Sequence, residues 1–208
     1  GLICLSACLS GDLPKLLLQD RHEDAVAYVR EMQDIFGKEN FFIEIMDHGI
    51  REERIVLPRL VALARELDIP VTMVTDTHQF PMGQAMLTIY PPVGAGDLNE
   101  QGLTFLCSAG DFDALITGDM AGNTEKKLVE RFDLPDIEVL VVGHHGSRYS
   151  STDAFLQQVR PETAIISVGD NSYGHPTQEA MDRLSRNGAA VYRTDRQGNV
   201  LVTVNGGT

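Results

Sequence analysis

Between His22 and Phe36 the apolar residues Ala25, Val29, Met32 and Phe36 recur at three- and four-residue steps, and Gly37 follows. That is the pattern of an amphipathic helix with a stop signal. FFIEIM over 41–46 predicts a strand. A second helix is predicted over 58–67, with Leu60, Val61, Ala64 and Leu67 on one face. VTMVT over 71–75 predicts another strand. Helix and strand therefore alternate through the first 78 residues, as in a parallel α/β sheet or barrel.

The rhythm changes after residue 80. LTIYPP (87–92), LTFLCS (103–108) and ALITG (114–118) predict strands with short Gly- and Asp-containing links. A helix over about 125–132 and the strand IEVLVVG (137–143) follow. Ser151 or Thr152 is placed to cap a helix over 153–159, and TAIISVG (163–169) predicts the next strand. Thr177 is placed to cap a helix running to about Arg186, with Gly188 to stop it. The last stretch, AAVYRTDRQGNVLVTV, predicts a β-hairpin turning at 197–199.

The length of 208 residues allows one or two domains, and 43% hydrophobic content is enough for a core. The formal net charge of -13 excludes capture of nucleic acid or an anionic membrane by a general positive field. It leaves room for a nucleic-acid substrate held through metal ions, which supply positive charge locally. Three cysteines, Cys4, Cys8 and Cys107, make no disulfide framework and are expected to be buried thiols. No apolar run approaches the roughly 20 residues that span a bilayer. The opening GLICLSACLSGDLPKLLL is interrupted by Gly11, Asp12 and Pro14 and does not have the pattern of a signal peptide; the chain is expected to begin within a domain.

Four polar groups stand just beyond apolar strands: Thr117-Gly118-Asp119, Gly143-His144-His145-Gly146-Ser147, Asn171 to Pro176, and Thr194-Asp195. Strand ends are where side chains from distant segments converge in α/β proteins. Carboxylate with neutral imidazole suits zinc, manganese or iron. Each group taken singly also fits an ordinary turn. Two adjacent histidines after a fully apolar strand, followed by Gly-Ser, fit that alternative less well.

In order, ALITGDM, VLVVGHHGSRYSS, AIISVGDNSYGHP and VYRTDRQG resemble the end of the metallo-β-lactamase-fold domain of the ComEC competence proteins, DNA-uptake channels of the inner membrane. The resemblance covers roughly residues 80–208. It implies a metal-dependent hydrolase domain of the nuclease type, acting on DNA with a divalent metal, zinc or manganese, and up to two ions in a complete domain. Carried over by position, Asp119 matches the bridging metal aspartate and His144 the last metal histidine, with His145 second to it. His175 lies in the Tyr-Gly-His-Pro motif and is a candidate to contact the scissile phosphate or support the site. Ser147 is a candidate to orient its loop. Near 98–102 Asn99 is kept, but Gly102 stands where the family has serine. The family's first metal motif, His-x-His-x-Asp-His, is absent from this sequence. Asp119 and His144 are then fewer than the three protein ligands of a catalytic zinc. The expected fold is the C-terminal half of an αββα sandwich without the strands of its partner sheet.

The first stretch differs. GLICLSACLSGDLPKLLL, FFIEIMDHGI and ARELDIPVTMVTDTH resemble the later half of the PHP domain of bacterial DNA polymerase III alpha subunits. That implies a partial (β/α) segment over 1–78 with metals at strand ends, acting as a proofreading phosphoesterase or as structural support. Cys8 matches a ligand position, and Asp76 with His78 an Asp-x-His metal motif. An Asp-x-His step in a strand would place both side chains on one face. Glu44, Asp47 and His48 match a near-site segment. The early His-x-His motif of this family is absent too.

ARELDIPVTMV (64–74) fits both families, so a chimera joined there is expected, with a partial PHP-like segment over 1–78 and a partial metallo-β-lactamase-like domain over 79–208. The parent proteins differ in place, one associated with the inner membrane and one cytoplasmic. Three functions follow: a metal-dependent phosphodiesterase or nuclease, a polymerase-associated PHP module, or an inactive α/β scaffold carrying remnants of both.

Overall fold

A computed structural model of the chain describes residues 2–45, 50–72, 74–95 and 98–204. The chain divides into two compact units, Gly1–Met73 and Val74–Thr208.

In the first unit β1 (Cys4–Leu5) is followed by α1 (Asp12–Leu18), α2 (His22–Phe36), β2 (Phe41–Phe42) and α3 (Arg51–Glu66). The two short strands pair in parallel, Cys4 opposite Phe41 and Leu5 opposite Phe42. Leu13 and Leu17 of α1, Ala25 and Val29 of α2, and Val56, Leu60 and Leu63 of α3 bury one face of each helix around Phe41. The spacing is the helical repeat read from the sequence. α3 begins seven residues before the expected start and runs through Pro58. Proline favours a first-turn position, so the sequence points to a start there. Burial of Val56 continues the apolar stripe past it, while Pro58 and Arg54, the residue whose carbonyl it leaves unbonded, are exposed to water. The expected strand over 41–46 is limited to Phe41–Phe42; Met46, Asp47 and His48 lie outside the described residues. Cys8 is exposed and Cys4 half-buried, not buried as expected.

Among the described residues the second unit is built on one seven-stranded sheet whose spatial order follows the chain. β3 (His78–Met82), β4 (Ala85–Tyr90), β5 (Thr104–Ala109) and β6 (Phe112–Ile116) form an antiparallel meander. After β6 come α4 (Gly122–Arg131), β7 (Val139–Val141), α5 (Asp153–Val159), β8 (Thr163–Ile166), α6 (Gln178–Arg186), β9 (Ala190–Arg193) and α7 (Thr194–Gln197). From β6 to β9 each strand pairs in parallel with the next. The molecule is thus of the α/β class. Leu115, Leu140 and Ala164 face one another across the register and are wholly buried. They pack in one core with Leu128 of α4, Phe155, Leu156 and Val159 of α5, and Leu184 of α6. The adjacent cross-strand row is Ile116, Val141, Ile165 and Tyr192, with Ile116 40% and Tyr192 44% exposed. Successive strand residues point to opposite faces, so this row lies on the face away from the core.

Three expectations are corrected in this unit. VTMVT forms no strand among its described residues; it spans the division between the units, and the first strand starts at His78. The C-terminal hairpin is replaced by a strand, β9, and the short helix α7. The Thr194 hydroxyl accepts from Val168 N and donates to Val168 O, both at 2.7 Å, and Arg193 N donates to Gln197 Oε1 at 2.7 Å. The distant bonds to Val168 and the local one to Gln197 turn the chain at Thr194 before a hairpin can form. Thr152 occupies the N-cap position of α5 without a side-chain cap bond, and its hydroxyl donates to Glu125 at 2.9 Å. Thr177 does cap α6, accepting from Ala180 N at 3.3 Å. Among the described residues no helix is long and apolar enough to cross a membrane.

Candidate metal centre at the parallel strand ends

Because β6 to β9 are parallel, their C-terminal ends share one edge of the sheet. That edge carries Thr117-Gly118-Asp119 after β6, a 3-10 turn Gly143–Gly146 after β7, the 167–177 loop after β8, and Thr194-Asp195 after β9. Parallel pairing alone brings together four motifs that are far apart in sequence.

The turn after β7 is unusual in its backbone. His144 and His145 both adopt left-handed φ, at 48° and 54°. Such a conformation costs a residue with a Cβ about 1–2 kcal/mol, so two in succession store strain at the site. His144 N donates to Gly118 O at 3.0 Å, tying this turn to the one that bears Asp119. His145 Nδ1 lies 2.7 Å from Ser167 O. A carbonyl only accepts, so Nδ1 carries the proton and, in the neutral ring, Nε2 keeps its lone pair. Nε2 stands 4.0 Å from Asp119 Oδ1. Two ligands of one tetrahedral ion, with bonds of about 2.0–2.2 Å, stand about 3.4 Å apart, so the pair is near a shared site but about 0.6 Å wider than one. A ligating imidazole whose other nitrogen donates to a backbone carbonyl is the usual arrangement around a metal.

His144 lies edge-on to His175, with ring centroids 5.6 Å apart at 83°, and 6.5 Å from His145. Burial, then the neighbouring His144 and His145, hold the His175 imidazole below its ordinary value, with Asp119 opposing them. His175 is therefore neutral near pH 7. Asp195 pairs with Arg193, whose hydrogen bonds lower its carboxyl. Ser147 is buried, and its hydroxyl accepts from Tyr149 N at 3.3 Å within the loop.

The other expected ligands are spread over the two units. Cys8 belongs to the first, where it lines a small cleft with Glu44 and Glu53. Asp76 and His78 belong to the second. Asp76 sits in a bend rather than a strand, so strand alternation does not set the direction of its side chain. The His78 ring stacks against Phe80 at 6.3 Å. Asp47 and His48 lie outside the described residues. Among the described residues no group of three or more His, Cys, Asp or Glu side chains is arranged to hold a metal ion.

Comparison with known proteins bears out both resemblances. The family model of the PHP domain matches residues 1–48. The DNA polymerase III subunit alpha of Treponema pallidum is 50% identical over 78 residues, 38% of this chain and 7% of that protein. ComE operon protein 3 of Bacillus subtilis is 38% identical over 190 residues, 85% of this chain and 24% of that protein. Competence protein ComA of Neisseria gonorrhoeae is 39% identical over 105 residues, 49% of this chain and 15% of that protein. The chain thus spans at most about a quarter of the length of these relatives. It combines similarity to polymerase and competence proteins in the manner of a chimera. The shares matching the first two relatives together exceed the whole chain, so part of it is similar to both.

The loop Ser147–Ser151 that follows the histidine turn is clamped by two residues outside the motifs. Glu125 of α4 is wholly buried and accepts from Ser151 N, from Thr152 N at 2.9 Å and from the Thr152 hydroxyl. Arg183 of α6 donates to the carbonyls of Arg148 at 2.8 Å, Ser150 at 2.7 Å and Ser151 at 3.0 Å. Sequence reasoning missed both. The available signal was a carboxylate three residues before Leu128, on the apolar stripe of α4.

Beneath the turn the Thr117 hydroxyl is buried and has no hydrogen-bond partner among the described residues. A Cβ on Gly143 would stand 3.1 Å from it, so glycine is what lets the β7 turn lie over Thr117. Thr117→Val is expected to stabilise the chain by about 1 kcal/mol in urea denaturation, since it removes an unpaired polar group at nearly constant volume.

Proposed function

We propose that the second unit is a metal-dependent phosphodiesterase of the nuclease type, from the competence side of the chain's resemblance. The supporting observation is the Asp119–His145 pair at the shared strand edge, with His145 Nδ1 committed to Ser167 O. The donor set suits a divalent ion, zinc or manganese. Asp119 and His145 would hold it, with His144 as a further candidate ligand. A bound divalent ion supplies an activated water near neutral pH and charge neutralisation on a phosphate. Ser167 O fixes the tautomer and direction of His145. His144 N, bonded to Gly118 O, holds the histidine turn against the Asp119 turn. Neutral His175 would meet a phosphate oxygen by hydrogen bond. DNA as substrate rests on the competence resemblance.

On this reading residues 79–208 form a partial metallo-β-lactamase-like domain, and the half-exposed row from Ile116 to Tyr192 is the face that the second layer of an αββα sandwich covers. Residues 1–78 form a partial PHP-like segment, a structural or phosphoesterase module of the polymerase type, with Cys8, Asp76 and His78 as its metal candidates. A non-catalytic scaffold is the second reading; the observation favouring it is that the described residues hold no group of three potential ligands.

Hydrolysis of bis-p-nitrophenyl phosphate with zinc or manganese tests the first reading. Asp119→Asn and His145→Ala are each expected to lower kcat/KM by at least about 100-fold, the upper range for loss of a residue that only supports a metal ligand. No turnover by the unaltered chain, with no stoichiometric metal by elemental analysis, would leave the scaffold.

A further inference from the structure

Of the five tyrosines and eight phenylalanines, the two most exposed are Tyr173, at 82%, and Tyr149, at 70%. Both sit on loops at the candidate site, Tyr173 after β8 and Tyr149 after β7. Neither loop is loosely held. Asn171 Oδ1 accepts from Tyr173 N and His175 N, each at 3.1 Å. Its Nδ2 donates to Gly169 O at 2.9 Å and His175 O at 2.8 Å. All four hydrogen-bonding capacities of one amide are thus spent on fixing the backbone around Tyr173. Tyr149 N donates to Ser147 Oγ, and Tyr149 O accepts from Gly122 N at 2.8 Å. The Tyr173 ring lies 6.1 Å from His175, tilted by 31°, and His175 lies 5.6 Å from His144. A run of three rings therefore leads from water to the histidine turn.

We infer that Tyr173 is a stacking platform for an unpaired nucleobase, and that the site takes single-stranded rather than duplex nucleic acid. The inference rests on the phosphodiesterase reading of the same site and names its substrate class. Aromatic rings presented to water from a fixed backbone bind by their faces, with only two side-chain torsions to order. Duplexes hide the base faces within the stack, so an exposed ring finds no face to bind there, whereas an unpaired base offers one. Single strands can be held by stacking, worth about 1–3 kcal/mol per base, while a metal ion meets the phosphate.

The test uses the whole chain with fluorescein-labelled oligothymidylate, a backbone-matched abasic strand and a blunt duplex, with calcium present, read by anisotropy. The unaltered chain should prefer oligothymidylate to the abasic strand by roughly 5- to 150-fold, one stacked base. Tyr173→Ala should abolish that preference and leave abasic affinity unchanged, and Tyr173→Trp should keep it. The inference is overturned if Tyr173→Ala retains the preference, if it weakens both strands equally, if the duplex binds as well as the single strand, or if no oligonucleotide binds. Failure of metal-dependent bis-p-nitrophenyl phosphate hydrolysis would remove the catalytic reading while leaving base stacking measurable. Hydrolysis without base preference would remove the platform alone.

Discussion

Replacing Glu125 with alanine is expected to lower the unfolding free energy by about 3 kcal/mol, because it strands buried donors and opens a void. The carboxylate is wholly buried and receives Ser151 N, Thr152 N and the Thr152 hydroxyl. These bonds lower its carboxyl, but desolvation is the larger effect and raises it overall. The sign follows. A carboxyl raised in the folded state contributes stability that is fully present below the ordinary 4.5 and is lost as pH rises through the raised value. Glu125→Gln, which cannot ionise, should therefore show a shallower loss of stability between pH 4.5 and 7 than the unaltered chain. It should still be less stable than the unaltered chain at neutral pH, since its amide NH2 must face a donor. Urea denaturation across that range reads both effects. An alanine variant as stable as the unaltered chain would show that the 147–152 loop is held from the Arg183 side alone.

Gly146→Ala should cost about 3 kcal/mol or more, combining left-handed strain with overpacking. Gly146 has φ of 81°, and an added Cβ would lie 2.5 Å from Pro176 Cβ and 3.1 Å from Pro176 Cα. Neither atom belongs to a flexible side-chain end, so the backbone must move. Gly146 O also accepts from Thr177 N at 2.9 Å, which makes this the point where the histidine loop meets the loop of His175. For a chain of this size such a loss lowers Tm by roughly 10 °C. It should also lower phosphodiester hydrolysis by more than the fraction unfolded, because the spacing between His144 and His175 depends on that contact. A melting curve matching the unaltered chain would show that the two loops can part without penalty.

Much of the secondary structure was legible because it depends on local periodicity. The helices His22–Phe36 and Asp153–Val159 begin and end where their apolar spacing puts them. Thr177 caps α6 because an N-cap needs only the residues beside it. Elements that depend on distant partners were not legible in the same way. VTMVT has strand composition, yet it spans the division between the units and forms no strand there. The final segment has hairpin composition, yet Thr194 bonds to Val168, twenty-six residues earlier, and the chain turns. Pro58 marks a helix start by propensity, yet the buried stripe from Val56 carries α3 through it.

The site divides along the same line. Sequence by itself determined which residue types stand after which strands, and so the candidate chemistry of Asp119, His144, His145 and His175. Parallel order in β6 to β9, decided by pairing across the sheet, turned four separate motifs into one edge. Only the tertiary structure decided which histidine meets Asp119, because adjacent residues differ in direction by backbone dihedrals rather than by identity. The two left-handed residues turn His145 toward Asp119 and Ser167, and His144 toward His175. Glu125 and Arg183 belong to the same class of information: each acts on a loop more than twenty residues away, and only close packing brings it there.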